Sequence, residues 1–449
     1  MRAPALRVVL LFALLTVALV PVAEARPASR QDGQGLTTAQ LIAAARQRGE
    51  IAADTAHLYL AYALVASSKL PDRFRSQVPW HGTIPLLRLE AATAAMPAGP
   101  TRAEIEALLA EMCDDSNAAL PGTYTTPSFY VQYGAIGGGL TLEAYTTALD
   151  AAWATEVVSF GWAAPPVLPE NPPPGDRYHV RIDALEYGLY GYVSTRGTHA
   201  GLVGDNPSTT WDDVDAYATC MVLNSDYSPF PGTPLQALQA TVAHEFNHSI
   251  QFGYGAITNL FPSDLNAPDL PFSEAGSTWM EDEVFDTAND NYNYLWPDFS
   301  MCMGEYDPVF PHSVYDYWIT FRGLTEPYGT GLAGGGEQVL QDFWEATSQS
   351  SYSNMLPALN DALLAKGTTL ADAYHAYAIA FKFNKTCSGG YAAPTCFEEG
   401  AAYLTAAGPT AVHGLISGPS GSFSGSLADN YSLSWVGLPA GTVAYRLTL

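Results

Sequence analysis

Apolar residues recur at helical spacing through most of this chain, and strand-like alternation is confined to its middle and its end. Thr38 is placed to cap a helix over 39–48, and a second begins near Asp54 and carries Leu58, Tyr62 and Val65 until Leu70-Pro71 stops it. Thr101, with Glu104 three residues on, reads as a capping box for a third helix reaching Met112. Residues 128–133 have the aromatic and β-branched content of a strand, and a Gly-rich turn then leads into a helix over 141–160. After a Pro-rich connection, 178–182, 189–193 and 216–223 read as strands. Strands and helices mixed in this order predict an α+β layer rather than a doubly wound sheet.

The most strongly marked element follows. Thr233 is an N-cap, Pro234 fits the first helical position and Gln236 completes a capping box, so the helix runs from Pro234 to about Phe252 and Gly253 ends it. On a helical wheel Leu235, Val242 and Phe246 lie opposite His244 and His248, which predicts one face toward a core and one toward chemistry. Ser273 is placed to cap a second helix carrying Glu274 in its first turn. Further helical patterns cover 314–324, 337–346, 355–364 and 370–381, and from about Pro409 an alternating Ser-, Gly- and Val-containing pattern predicts a small β module over 409–449.

Composition sets the scale and the setting. A chain of 449 residues that is 48% hydrophobic can bury a large core and is longer than one average domain. A net charge of -26 argues against nucleic acid or an anionic membrane as partner and suits a solvated acidic surface. Arg2 and Arg7, an apolar run over 8–20 and Ala23-Glu24-Ala25 have the order of a secretory signal peptide cut after Ala25, which predicts a secreted or periplasmic protein with no stable membrane insertion after cleavage. Residues 26–120 then form a helical N-terminal region with two readings, a removable propeptide or a retained subdomain. Of the five cysteines, Cys113, Cys220, Cys302, Cys387 and Cys396, the last two bracket a short Gly- and Pro-containing loop and are the expected local disulfide.

The chemistry is concentrated in the central helix. It reads His244-Glu245-Phe246-Asn247-His248, and two histidines four residues apart lie about 40° apart around a helix axis, so both can reach one metal ion. Glu245 stands beside that face, where a carboxylate can accept the proton of an attacking water. A zinc hydrolase needs a third protein ligand and one open position. Glu274 is the leading candidate, with His312 and Glu281 as rivals. A donor for the developing oxyanion is also needed. Tyr292, Tyr294, Tyr306, Tyr317, His312 and Tyr315 are candidates, the last two favoured, while His57, His81, His179, His199, His375 and His413 read as structural or exposed. The acidic turn over 286–294 has the residue types for Ca2+ but no EF-hand pattern, so a calcium ion is possible without a specific motif. Residues 216–223 are the expected edge strand for a substrate backbone. Asn247-His248-Ser249 is formally a glycosylation sequon, which must stay unmodified if the helix holds a metal.

Together, the stretch from His244 to Tyr254 and the stretch from Phe272 through Ser273-Glu274-Ala275-Gly276-Ser277-Thr278-Trp279-Met280-Glu281 to Val284 resemble the zinc-binding core of secreted bacterial zincin-type metallopeptidases, of the gluzincin pattern HExxH plus a downstream Glu. The resemblance covers roughly 125–405 and implies a zincin-like catalytic domain, one catalytic Zn2+ held by His244, His248 and Glu274, and Glu245 as general base. It implies hydrolysis of a protein or peptide substrate. The chain departs from the thermolysin type at Thr278, where an Asp would stand four residues after the third ligand and orient a zinc histidine. The metzincin pattern is not met, since Tyr254 stands where its third histidine would be. Two other readings remain: a zinc aminopeptidase using Glu281 or Glu283 to hold the substrate amine, and an extracellular binding or adhesive protein whose metal domain is inactive or structural. The sequence does not fix the oligomeric state.

Overall fold

A computed structural model gives the conformation of residues 35–113, 119–168, 176–213, 215–257, 270–295, 312–329, 331, 335–348, 355–388 and 392–409, and of the short segments 414–415 and 436–437. The signal-peptide stretch, Cys302 and Tyr306 lie outside these residues, as do most of the residues predicted to form the β module and the side chain of His312.

Helices come first: α1 (Thr38–Gln47), α2 (Ala53–Val65), α3 (Thr83–Ala95) and α4 (Pro100–Ala110). The cap of α1 is Thr37, one residue earlier than predicted, because Thr37 and Gln40 form the reciprocal capping box. The α4 helix begins on Gly99 with Pro100 as its first residue, so the capping box expected from Thr101 and Glu104 does not form. The sequence pattern missed α3, whose apolar residues Ile84, Leu86, Leu87 and Leu89 do not fall on one narrow stripe.

A five-stranded mixed sheet forms the centre, confirming the α+β class. In chain order the strands are β1 (Gly122–Thr125), β2 (Phe129–Tyr133), β3 (Tyr178–Asp183) and β4 (Gly191–Ser194), with β5 (Gly201–Gly204) and β6 (Ala216–Ala218) in a separate pair, and β7 (Cys220–Asn224) back in the main sheet. The helix α5 (Leu142–Trp153) makes the crossover between the parallel strands β2 and β3, and β7 lies between β3 and β4 in the order β1-β2-β3-β7-β4. The predicted strand over 216–223 is therefore two strands in two sheets. Its second half is internal and offers no edge to a substrate.

Both faces of the sheet are covered. Met221 and Leu223 of β7 point into one core with Val180 and the helix α6 (Pro234–Gly253), while Cys220 and Val222 point into a second core built largely from α1 to α4. This is the alternation that a strand buried on both faces requires. The α6 helix starts where predicted and takes in Gly253, one residue past the predicted end, and its capping box is formed by Thr233 and Gln236. Its expected two-faced character is not met. Leu235 is exposed, whereas from Ala240 to Gly253 every residue is buried. Gly191 permits this closeness, since a Cβ there would stand 2.9 Å from Val222 O, 3.1 Å from Thr241 Cγ2 and 3.4 Å from Glu245 Cγ.

The helix α7 (Leu270–Val284) packs along α6. It starts before Ser273, so Ser273 is an interior residue and not the predicted cap. After it come α8 (His312–Tyr315), α9 (Trp318–Thr325), α10 (Glu337–Ser348), α11 (Met355–Ala365), α12 (Leu370–Phe383) and α13 (Gly400–Ala407), which extend the first core. Of the predicted β module, the described part is one parallel pairing of β8 (Gly414–Leu415) with β9 (Val436–Gly437). Among the described residues no helix is long and apolar enough to cross a membrane.

Cys387 pairs with Cys396 as the sequence suggests, and Cys113 pairs with Cys220, a bond that spacing alone did not reveal. The second bond ties the end of the helical region to the sheet across 107 residues. Closing a loop of that size restricts the unfolded chain by about 4–5 kcal/mol in the chain-entropy model. Replacing Cys113 and Cys220 together by alanine should lower unfolding stability by about 3–5 kcal/mol, read as the shift of the urea midpoint at constant slope.

Candidate metal centre

The candidate site is assembled from α6, α7, β4 and the start of α3, all in the interior. Four-residue spacing on α6 turns both imidazoles toward α7, and Glu274 meets them there. Its Oε2 lies 3.0 Å from His244 Nε2 and 3.3 Å from His248 Nε2. Its Oε1 is buried without a hydrogen-bond partner, and His244, His248 and Glu274 are all 0% exposed. Among the described residues, two groups of side chains converge closely enough to hold a metal ion: His244 with His248 and Glu274, and His81 with His244 and Glu245.

The other ring nitrogens are anchored. His244 Nδ1 is 2.8 Å from Glu281 Oε1, so Glu281, a rival third ligand in the sequence, faces away from the Nε2 side and instead orients His244. Glu281 lies one helical turn beyond Thr278 on α7 and supplies the carboxylate whose place Thr278 left open. His248 Nδ1 is 3.0 Å from Gln251 Oε1 and 3.1 Å from Ser277 Oγ, while Ser273 Oγ donates to Gln251 Oε1 at 2.7 Å. Each ring is therefore held by its Nδ1, which leaves both Nε2 atoms converged on Glu274.

Burial and the neighbouring His81 ring push the His244 imidazole down to about 4, so it is neutral near pH 7, the form a metal ligand needs. Burial alone would raise the Glu274 carboxyl, but the two imidazoles more than offset it and hold the group well below the carboxylate range. Burial likewise pushes Glu245 up, and the His81 hydrogen bond with the surrounding imidazoles reverses that, so Glu245 is an ionised acceptor. Glu281 is pushed well above the usual range by burial, then by Asp290, Glu245 and Glu274. Carboxyl groups are thus crowded around the paired histidines, and a bound cation would favour their ionised forms.

His81 was expected to be structural or exposed, yet it lies in the site. Its Nδ1 is 3.0 Å from Glu245 Oε1, its ring stacks on His244 at 3.9 Å between centroids, and its Nε2 is buried without a partner. Thr83 donates to Glu245 Oε2 at 2.7 Å. Neither residue belongs to a local motif, and no spacing in the sequence connects them to Glu245. Tyr315 places its ring 6.1 Å from that of His244 and 5.6 Å from that of His81, beside the candidate ligands. Tyr292 is directed away, to Glu399, and Tyr294 is buried against Tyr315. In the acidic turn, Asp290 is turned inward and accepts from Tyr190 Oη and Asn293 Nδ2. Asn247 is fully buried and bonded to Glu156 and Gln251, so its sequon has no room for a glycan.

Comparison with protein-family models gives no match, and comparison with curated proteins gives none either. The geometry therefore carries the functional reading by itself. If Glu281 orients His244, then Glu281→Gln should weaken metal binding by about 10- to 100-fold while the fold is retained, as measured by competition with a chromophoric chelator.

Proposed function

We propose that this chain is a secreted zinc-dependent endopeptidase with a zincin-like catalytic domain. The observation that carries the reading is the convergence of His244 Nε2, His248 Nε2 and Glu274 Oε2 beside an ionised Glu245. The 3.0 and 3.3 Å separations are close to the edge of a tetrahedron with bonds of 2.0–2.1 Å, about 3.3 Å, the bond lengths of zinc to imidazole and carboxylate. Two imidazoles and one carboxylate are also the donor set of a hydrolytic zinc site with an open fourth position.

Bound zinc supplies Lewis-acid polarisation of a peptide carbonyl and acidifies water at neutral pH. The protein supplies the remainder. With the ion bound, a proton on Nδ1 would be received by Glu281 Oε1 in His244 and by Gln251 Oε1 in His248, which would leave both Nε2 lone pairs to the metal. Glu245 accepts the proton of the attacking water on a carboxylate oxygen and returns it to the leaving amine. Tyr315, whose ring lies 6.1 Å from that of His244, is the candidate donor of a hydrogen bond to the developing oxyanion. The signal-like amino terminus and the disulfides support export.

One observation favours a second reading. Glu245 and the candidate ligands are completely buried, and an enclosed site suits a structural metal in a binding or adhesive protein. Metal analysis and hydrolysis of an unstructured protein substrate separate the two. The purified protein should hold one zinc per chain and lose activity on chelation, and Glu245→Gln should keep the zinc while lowering kcat by at least about 100-fold. Zinc without hydrolysis would establish the structural reading, and hydrolysis by the Glu245→Gln protein would overturn the mechanism.

A further inference from the structure

Among the described residues, the side-chain hydrogen bonds to the Glu245 carboxylate come from His81 and Thr83, in the segment 80–83 between the first helices and the sheet. This segment lies along the outer edge of β4. Trp80 N donates to Gly188 O at 2.9 Å, Tyr190 N donates to Trp80 O at 3.0 Å, and Gly82 N donates to Gly191 O at 2.9 Å. A Cβ on Gly82 would stand 3.0 Å from Leu189 and Tyr192 atoms and 3.1 Å from Leu64, so the backbone here is packed as closely as glycine allows.

From this fixed backbone His81 and Thr83 turn inward. Thr83 Oγ1 accepts from Val193 N at 2.9 Å and donates to Glu245 Oε2, which fixes the direction of its proton. The His81 ring is stacked between His244 and Tyr190, at 3.9 and 4.8 Å, which fixes its plane while Nδ1 meets Glu245 Oε1. Among the described residues each carboxylate oxygen therefore has one side-chain donor, which leaves its second lone pair for a substrate proton. A glutamate on two rotatable methylenes is held by this pair of donors in a single orientation.

We propose that His81 and Thr83 are positioning residues for Glu245, and that the helical region carrying them is a permanent layer of the working enzyme. The proposal rests on the hydrolase reading above and addresses a question that the sequence left open. Two further observations support retention. Cys113 binds the region covalently to β7, and its removal would uncover Leu189, Tyr192 and Val222 on the second face of the sheet. The competing arrangement is latency, in which the same segment blocks both the edge of β4 and the base until it is cut away.

The test uses the full chain after export, with unaltered protein and Glu245→Gln as references. His81→Leu and Thr83→Val should each lower kcat by about 10- to 100-fold, with KM changed less than about threefold and zinc content unchanged. His81→Asn, which restores a donor near the Nδ1 position, and Thr83→Ser should recover most of that loss. Thr83→Val is nearly isosteric and keeps the proposal testable if His81→Leu does not fold. The active protein should retain residues 38–113, as read by intact mass after reduction. Folded variants that keep kcat within about twofold, variants that gain activity, or an active form lacking residues 38–113 would overturn the proposal and leave the hydrolase reading standing. An unaltered protein that binds zinc and hydrolyses nothing would remove the hydrolase reading itself, and the positioning role with it.

Discussion

Burial of a polar helix is the constraint on which this structure depends. From Thr241 to Gln251, α6 carries hydroxyl, imidazole, carboxylate and amide groups into an interior from which solvent is excluded. Each such group is costly to bury unless it is hydrogen-bonded, and a charged one more so. The partners come from widely separated parts of the chain. Glu156 meets Asn247, Tyr178 meets Ser249, Glu281 meets His244, Ser277 meets His248, and His81 with Thr83 meets Glu245. Satisfying one helix thus fixes the relative positions of the sheet, α7, the helical turn that follows α5, and the N-terminal layer.

The sheet is shaped by the same demand. Its outer strand β4 carries a glycine at the point where α6 approaches, and its far face is closed by helices that precede it in the chain. A mixed sheet with parallel central strands is normally buried on both faces, and here the two cores divide at the strand alternation of β7. The rigidity that results is useful for chemistry, because a catalytic carboxylate is effective only when its orientation is set by groups that do not themselves move.

Local signals carried much of this into the sequence. The capping box of Thr233 and Gln236, the proline at the first helical position and the four-residue spacing of His244 and His248 are short-range features, and the α6 helix has the bounds they imply to within one residue. Glu274 was legible through its place on a second helix, although the cap assigned to Ser273 was not formed. What could not be read was long-range. His81 meets Glu245 across 164 positions, and Cys113 meets Cys220 across 107. No periodicity records such pairings. The third helix of the N-terminal layer was missed for a related reason, since its apolar residues serve neighbours on more than one side and leave no single stripe. The expected edge strand over 216–223 is split between two sheets, its second half internal, because alternation identifies a strand without showing what lies beside it.

Asn247 gives the buried helix a consequence for how the protein can be made. Its sequon is legible to any secretory pathway that attaches glycans to the extended chain before folding, whereas in the folded protein its amide is enclosed between Glu156 and Gln251. A sugar added to the nascent chain would have to occupy the centre of the molecule, so modification and folding exclude each other at this residue. Cells that leave such sequons untouched therefore suit production of this chain, and the choice of host becomes a structural variable in its own right.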